Sequence, residues 1–194
     1  ESFWAYEIIN SLLDRDLYPV ELNDGDVECR AEQAVLRKEF TVWLLQAYYP
    51  EEVADIQDFH DDYDYDDSPF SDVDGDSAYD PYIVMAAEKG IVSGNPDGTF
   101  KPNKVINRAE VLKILLRSSE LFEATAGQMS ALDEDFDPVG RFVDEDNDDW
   151  YTPYLHFAVE AEIIEGRTEM RNGRMVRVAA MSDGVLYGEA AKIL

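Results

Sequence analysis

The chain has little of three things: cysteine, positive charge and long apolar runs. A single cysteine among 194 residues, Cys29, excludes an internal disulfide framework and a cysteine-based metal cluster. Only 16 lysines and arginines stand against 43 aspartates and glutamates, which gives a formal net charge of −27. Such a chain repels phosphate backbones and anionic lipid headgroups, so we expect no nucleic-acid partner. No apolar run approaches the roughly 18 residues of a membrane span, so we expect no direct membrane insertion.

The composition is that of a folded protein without a recognisable catalytic signature. Apolar residues make up 45% of the chain, enough for one sizeable core or a few small units. The motifs of phosphate-binding loops, zinc proteases, serine hydrolases and dinucleotide-binding folds are missing from the sequence. Acidic pairs are so frequent that no glycosidase-like pair of carboxylates stands out. We therefore predict that the protein is not an enzyme.

One helical pattern recurs three times along the chain. It begins with an apolar pair that is followed four residues on by a second pair, at Ile8-Ile9, Tyr82-Ile83 and Tyr154-Leu155. This spacing places both pairs on one buried helix face. The segments before the second and third occurrences also agree, since Phe70-Ser-Asp72 matches Phe142-Val-Asp144. The pattern therefore indicates an internal repeat with a period of about seventy residues.

A turn and a second helix complete each repeat. In the second repeat, Gly94-Asn-Pro-Asp-Gly98 is typical of a tight turn. Asn107 and Glu110 then form a capping-box pattern ahead of an apolar helix face. An arginine stands just inside this helix at Arg37 and Arg108, whereas the third repeat has Tyr187 there.

These spacings predict an all-α fold of three helix-loop-helix repeats that pack against one another, since two helices alone cannot bury both faces. Repeat 1 covers residues 1–54 and is expected to be N-terminally incomplete, because its Phe-x-Asp would precede Glu1. Residues 55–69 form an acidic linker, and repeat 2 covers 70–122. A second linker covers 123–141, and repeat 3 covers 142–194 with a degenerate C-terminal half.

The combined pattern resembles the S-layer homology domain. The elements F-x-D, A-x-x-x-G-I-x-x-G, D-G-T-F-x-P and R-A-E follow one another within residues 70–116, and W-x-x-x-Y is complete in the third repeat. The resemblance implies a triad of repeats with pseudo-threefold symmetry at a bacterial cell surface, cell wall or S-layer. It also implies that grooves between neighbouring repeats bind a cell-wall-linked polysaccharide, often one that is pyruvylated.

The same resemblance implies a set of ligand-binding residues. The family's arginine meets the anionic sugar, and its early tryptophan and Phe-x-Asp aspartate help to build the grooves. The residues at the matching positions here are Arg37, Arg108, Trp4, Trp150, Asp72 and Asp144. An exposed guanidinium at a helix N-terminus also lies beside free amides, which together suit a carboxylate.

A second function stays open because a −27 chain that binds an anionic polymer needs local positive charge or bridging cations. The alternative is a structural subunit of an S-layer or surface filament, whose repeats contact protein, including lattice or filament self-contacts. Tyr187 and Ala78, which replace the family's arginine and tryptophan, also favour keeping this alternative.

Two loops have the alternating aspartates that wrap oxygen ligands around a hard cation. The predicted Ca²⁺ ligands are Asp72, Asp74 and Asp76 in the second repeat, and Asp144, Asp146 and Asp148 in the third. Neither loop has the bidentate glutamate of an EF-hand. The alternative is that the first aspartate caps the following helix and the others are solvated.

Overall fold

The computed structural model describes residues 32–59, 68–118, 142–144 and 149–193, together with residue 12. These ranges form two compact units: one combines the chain up to Ile106 with Gly184–Lys192, and the other is Asn107–Asp183. We call them unit 1 and unit 2. Their elements are α1 (Arg37–Tyr48), α2 (Pro50–Phe59), α3 (Asp80–Glu88), α4 (Arg108–Ser118), α5 (Thr152–Glu160), β1 (Arg167–Arg171), β2 (Arg174–Val178) and α6 (Tyr187–Ile193).

The predicted all-α fold of three pseudo-threefold repeats is wrong. Strands β1 and β2 form an antiparallel hairpin in which Met170 lies opposite Met175. Asn172 and Gly173 join the strands with φ angles of 51° and 75°, the left-handed conformations that a tight two-residue hairpin turn requires. The described chain also divides into two units rather than three, because Gly184–Lys192 belongs with unit 1.

Unit 1 is built around α1. The apolar side chains of Phe40, Trp43 and Leu44 are fully buried, and α1 packs against both α2 and α3. Pro50 begins α2, which suits a residue without an N–H group at the first helical position. Helix α2 runs to Phe59, so residues 55–59 of the predicted acidic linker are helical.

Three distant segments of unit 1 join through a closed set of backbone hydrogen bonds. The amide of Val35 donates to the carbonyl of Val185, that of Val185 to Ile106, and that of Ile106 to Val35, each at 2.9–3.0 Å. All three side chains are fully buried. This set of bonds, here called the valine–isoleucine ring, attaches the C-terminal segment to unit 1.

Unit 2 packs α4 against α5 over a small apolar core. The predicted capping box at the start of α4 is confirmed, because the Glu110 amide donates to Asn107 Oδ1 at 2.8 Å and the Asn107 amide donates to Glu110 Oε2 at 3.0 Å. The core is filled from α4, α5 and the segments around the hairpin by Ala109, Leu112, Phe142, Leu155, Ala158, Ile164, Ala179 and Met181. Among the described helices, none has the length and apolar character needed to cross a membrane.

Candidate ligand-binding sites

Asp72 holds the loop that follows α3 in unit 1. Its Oδ1 accepts a hydrogen bond from the Phe100 amide at 2.7 Å, and its Oδ2 accepts one from the Lys101 amide at 2.9 Å. Lys101 has a φ of 62°, which is unfavourable for a side chain other than glycine. The carboxylate therefore offsets a strained backbone, and its two oxygens are engaged within the fold.

Asp144 makes the same contacts in unit 2. Its oxygens accept hydrogen bonds from the amides of Ala179 and Ala180, both at 2.8 Å, and Ala180 has a φ of 55°. The third repeat therefore keeps the local loop geometry of the second, although its sequence departs from the repeat pattern after Gly166. The hairpin stands between Gly166 and Ala179, where the second repeat has its tight turn between Gly94 and Phe100.

Arg37 contacts the loop that Asp72 holds. It occupies the first position of α1, and its Nε donates to the Phe100 carbonyl at 2.9 Å. The guanidinium carbon lies 4.6 Å from the centroid of the Phe100 ring, within the range of a cation–π contact. We expected the Arg37 guanidinium to be exposed at this helix start, but the residue is buried and only 6% exposed.

Arg108 is half-buried at the start of α4, and its Nε donates to the Ala179 carbonyl at 3.1 Å. Each arginine and one predicted aspartate thus hydrogen-bond to the backbone of the same residue. Phe100 links Arg37 to Asp72, and Ala179 links Arg108 to Asp144.

Tyr187 fills the corresponding position at the start of α6 in unit 1. It is 3% exposed and stacks on Trp43 with the ring centroids 6.0 Å apart. Its amide donates to the Gln33 carbonyl at 3.0 Å, in the same way that the Arg37 amide donates to the Lys104 carbonyl. This position therefore supplies aromatic packing instead of a cation.

Basic side chains gather near the start of α1 although the chain as a whole is acidic. Lys38 places its ammonium 4.6 Å from the centroid of the Tyr79 ring, and its amide donates to the Pro102 carbonyl. The Lys104 carbonyl accepts a hydrogen bond from the Arg37 amide at 2.9 Å. Sequence reasoning missed Lys38, whose position next to Arg37 was the available signal.

Trp150 is an exposed aromatic in unit 2. Its side chain is 53% exposed, and the ammonium of Lys113 lies 5.4 Å from the ring centroid. Tyr151 and Tyr154 approach the indole edge-on, with centroids 5.7 and 6.4 Å away. Trp4, the other predicted tryptophan, lies outside the described residues.

The first aspartate loop is held by its own backbone contacts. Buried Asp80 accepts hydrogen bonds from the amides of Gly75 and Ser77, at 3.0 and 3.3 Å. Burial raises the pKa of Asp80, and these amide contacts oppose the rise. Asp74 accepts only a long bond, 3.4 Å, from the Asp76 amide.

Calcium binding by these loops stays a prediction. In the described part of the chain, no three histidine, cysteine or acidic side chains converge as metal ligands would. Asp146 and Asp148 lie outside the described residues. Asp72 and Asp144 already accept two backbone bonds each, so calcium would have to share their carboxylates with those amides.

Comparison with known proteins finds similarity to cell-surface proteins and to parts of enzymes. A family model described as S-layer homology domain matches residues 69–112. An S-layer protein of Bacillus thuringiensis subsp. finitimus is 32% identical over 126 residues, which cover 64% of this chain and 14% of that protein. An amylopullulanase of Thermoanaerobacterium thermosulfurigenes is 33% identical over 100 residues, which cover 52% of this chain and 5% of the enzyme. An endo-1,4-beta-xylanase A of Thermoanaerobacterium saccharolyticum is 34% identical over 97 residues, 50% of this chain and 7% of the enzyme. The chain therefore spans only a small part of each of these relatives.

Proposed function

Because the chain contains an S-layer homology domain at residues 69–112 and its S-layer relatives indicate the cell surface, we propose that it is a non-enzymatic anchoring module. Its ligand in this proposal is a cell-wall-linked polysaccharide that carries carboxylates, such as pyruvate groups. The observation that carries the proposal is the exposed indole of Trp150 with the Lys113 ammonium beside it.

This pair has the chemistry that an acidic sugar needs. An exposed indole offers a flat apolar face on which a sugar ring can stack. The Lys113 ammonium lies over one face of the ring, so we expect a sugar to stack on the opposite face and its carboxylate to reach Lys113 past the ring edge. Covering about 100 Å² of indole surface contributes about 2.5 kcal/mol, enough to dominate a weak contact with one sugar residue.

The basic group at the start of α1 supports the same proposal in unit 1. Arg37 and Lys38, which are adjacent in α1, provide local positive charge in a chain of net charge −27. Arg37 is anchored to the Phe100 carbonyl, so little side-chain entropy remains to be lost when a ligand binds. We infer that Arg37 and Arg108 shape the ligand sites and that Lys38 and Lys113 carry most of the charge contact.

Binding to purified cell-wall sacculi tests the proposal. We expect Trp150→Ala to weaken binding ten- to a hundredfold, since it removes about 2.5 kcal/mol of stacking. Lys113→Gln should weaken binding about tenfold through loss of one charge-assisted contact. Tyr48→Ala is the matched control, because Tyr48 is another exposed aromatic, 44% exposed, in the last turn of α1.

The binding isotherm should be measured on native sacculi and on sacculi stripped of their secondary polymer. The proposal expects wild-type retention on native walls, loss on stripped walls, and unchanged binding by Tyr48→Ala. Trp150→Ala binding native walls as tightly as wild type contradicts it. Circular dichroism and melting temperature establish that each variant is folded before its binding is compared.

The second candidate is a structural subunit of an S-layer or surface filament. It is favoured by the S-layer relative whose similarity extends over 64% of this chain, well beyond residues 69–112. In this case retention on walls would survive removal of the polymer. Arg108→Ala would then leave wall binding unchanged, provided that the variant keeps its melting temperature.

A further inference from the structure

The connection between Gly166 and Ala179 does not need the hairpin formed by β1 and β2. In the second repeat, residues 95–99 make the same connection, with the Asn95 amide bonded to the Thr99 carbonyl at 2.7 Å. Both connections begin at a glycine with positive φ, Gly94 or Gly166, which packs under the ring of Phe70 or Phe142. Residues 167–178 are therefore an addition to a loop that can be much shorter.

The end of this addition presents apolar surface. Met170 and Met175 lie directly opposite each other in the strand register and are 65% and 62% exposed. Covering these two side chains is favourable, because it removes apolar surface from water. The turn at Gly173 also projects into open space, since an added Cβ there would meet no atom within 4 Å.

The opposite face of the same end is positively charged, because successive side chains of a strand point to opposite faces and Arg171 follows Met170. Arg171 lies directly opposite Arg174, and like charges at this spacing destabilise a hairpin. Arg171 pairs with Glu169, whereas the Arg174 side chain has no hydrogen bond or ion pair with any residue in the described ranges. By contrast, Arg177 at the base is tied to the Glu165 carbonyl and the Phe142 ring.

We propose that the exposed end of this hairpin, with Met170 and Met175 on one face and Arg171 and Arg174 on the other, inserts end-on into an acidic surface of another molecule of this protein. The argument is charge complementarity, because the hairpin carries four arginines and one glutamate in a chain of net charge −27. Arginine and methionine are both enriched in protein interfaces. The apolar methionine pair favours a protein partner over a hydrated polysaccharide. The contact is separate from Trp150 and does not rest on glycan binding.

The contact should be weak on its own. Two short strands can cover much less than the roughly 1,200 Å² of a stable interface. We therefore expect micromolar or weaker association that salt reduces, as it does for exposed charge pairs. Between molecules that are held side by side, many such contacts would still give strong overall association, because each later contact forms at high effective concentration.

Sedimentation velocity of the full chain, over a range of concentrations and at two salt concentrations, tests this inference. We expect wild-type protein to associate, and Arg171→Glu with Arg174→Glu to lower the association constant at least tenfold. Replacing residues 167–178 with the sequence of residues 95–99 should abolish association. Arg117→Glu is the control for charge reversal, since Arg117 is an exposed arginine on α4 outside the hairpin.

Circular dichroism establishes that the compared variants are folded, and Met170→Ser with Met175→Ser provides a second variant that changes no charge. Wild-type protein that stays monomeric to millimolar concentration overturns the inference. Association by the charge-reversed variant that equals that of wild type also overturns it. So does a monomeric wild type whose hairpin instead binds a carboxylated polysaccharide. Wall binding by Trp150→Ala, measured separately, reports on the anchoring proposal alone.

Discussion

Replacing Asp72 with alanine removes the carboxylate that fixes the loop after α3. Two bonds disappear, to the Phe100 amide at 2.7 Å and the Lys101 amide at 2.9 Å. A hydrogen bond to a charged group contributes about 1.5–3 kcal/mol when buried. Because Asp72 itself is exposed and water can reach part of the freed backbone, we expect a loss of about 2–3 kcal/mol for the pair of bonds.

Urea unfolding followed by tryptophan fluorescence measures this loss, since Trp43 is buried in the same unit. Asp72→Asn keeps one acceptor oxygen and should lose about half as much free energy of unfolding. Asp76→Ala is the control, because Asp76 is an exposed aspartate of the same loop and should cost less than about 0.5 kcal/mol. If the free energy of unfolding of Asp72→Ala lies within 0.5 kcal/mol of wild type, then Asp72 does not anchor the loop.

Three further measurements concern the same region of the chain. In urea unfolding, Gly94→Ala should lower the free energy of unfolding by about 3 kcal/mol and Gly98→Ala by only about 1 kcal/mol. Both glycines have positive φ, but only at Gly94 would the new Cβ lie 2.5 Å from an aromatic carbon. Equal losses for the two variants contradict this packing. The Thr99 hydroxyl is the largest cause, and Lys101 the next, of the lowering of the Asp97 pKa from 3.8 to about 2. The contribution of Asp97 to stability is therefore present above pH 3.8 and is lost as the pH falls towards 2. An NMR titration should show this pKa rising in Thr99→Val, and an unchanged value rules out the hydroxyl as its main cause. If residues 72–76 bind calcium, millimolar calcium raises the unfolding midpoint above that in chelator at equal ionic strength, and identical midpoints exclude binding.

The features that sequence reasoning predicted correctly are local ones. The capping box of Asn107 and Glu110 spans one helical turn, and the turn after Gly94 is set by its own glycine, asparagine and proline. The S-layer homology resemblance is also confirmed for residues 69–112, because it rests on a dense series of short motifs. In each case the residues that decide the structure are close together in the sequence.

The all-α prediction is wrong because the third repeat contains a hairpin that the second lacks, and other features depend on contacts between distant residues. Asn172-Gly173 is a strong hairpin signal, but the second repeat, which is the pattern for this part of the third, has no strands at the matching place. The burial of Arg37 depends on Phe100, which no spacing near Arg37 indicates. The assignment of the C-terminal segment to unit 1 likewise depends on bonds to Val35 and Ile106.

The valine–isoleucine ring has a consequence for the order in which the protein is assembled. Its three members come from the early, middle and last parts of the chain, so no two of them can complete the ring without the third. Contacts between such distant residues form late, because the intervening chain must first be ordered. As the chain is synthesised from its N-terminus, unit 1 therefore stays open until Val185 has been added. A molecule cut short before that residue would leave the apolar core of unit 1 incomplete, so we expect it to be more sensitive to proteolysis than the whole chain.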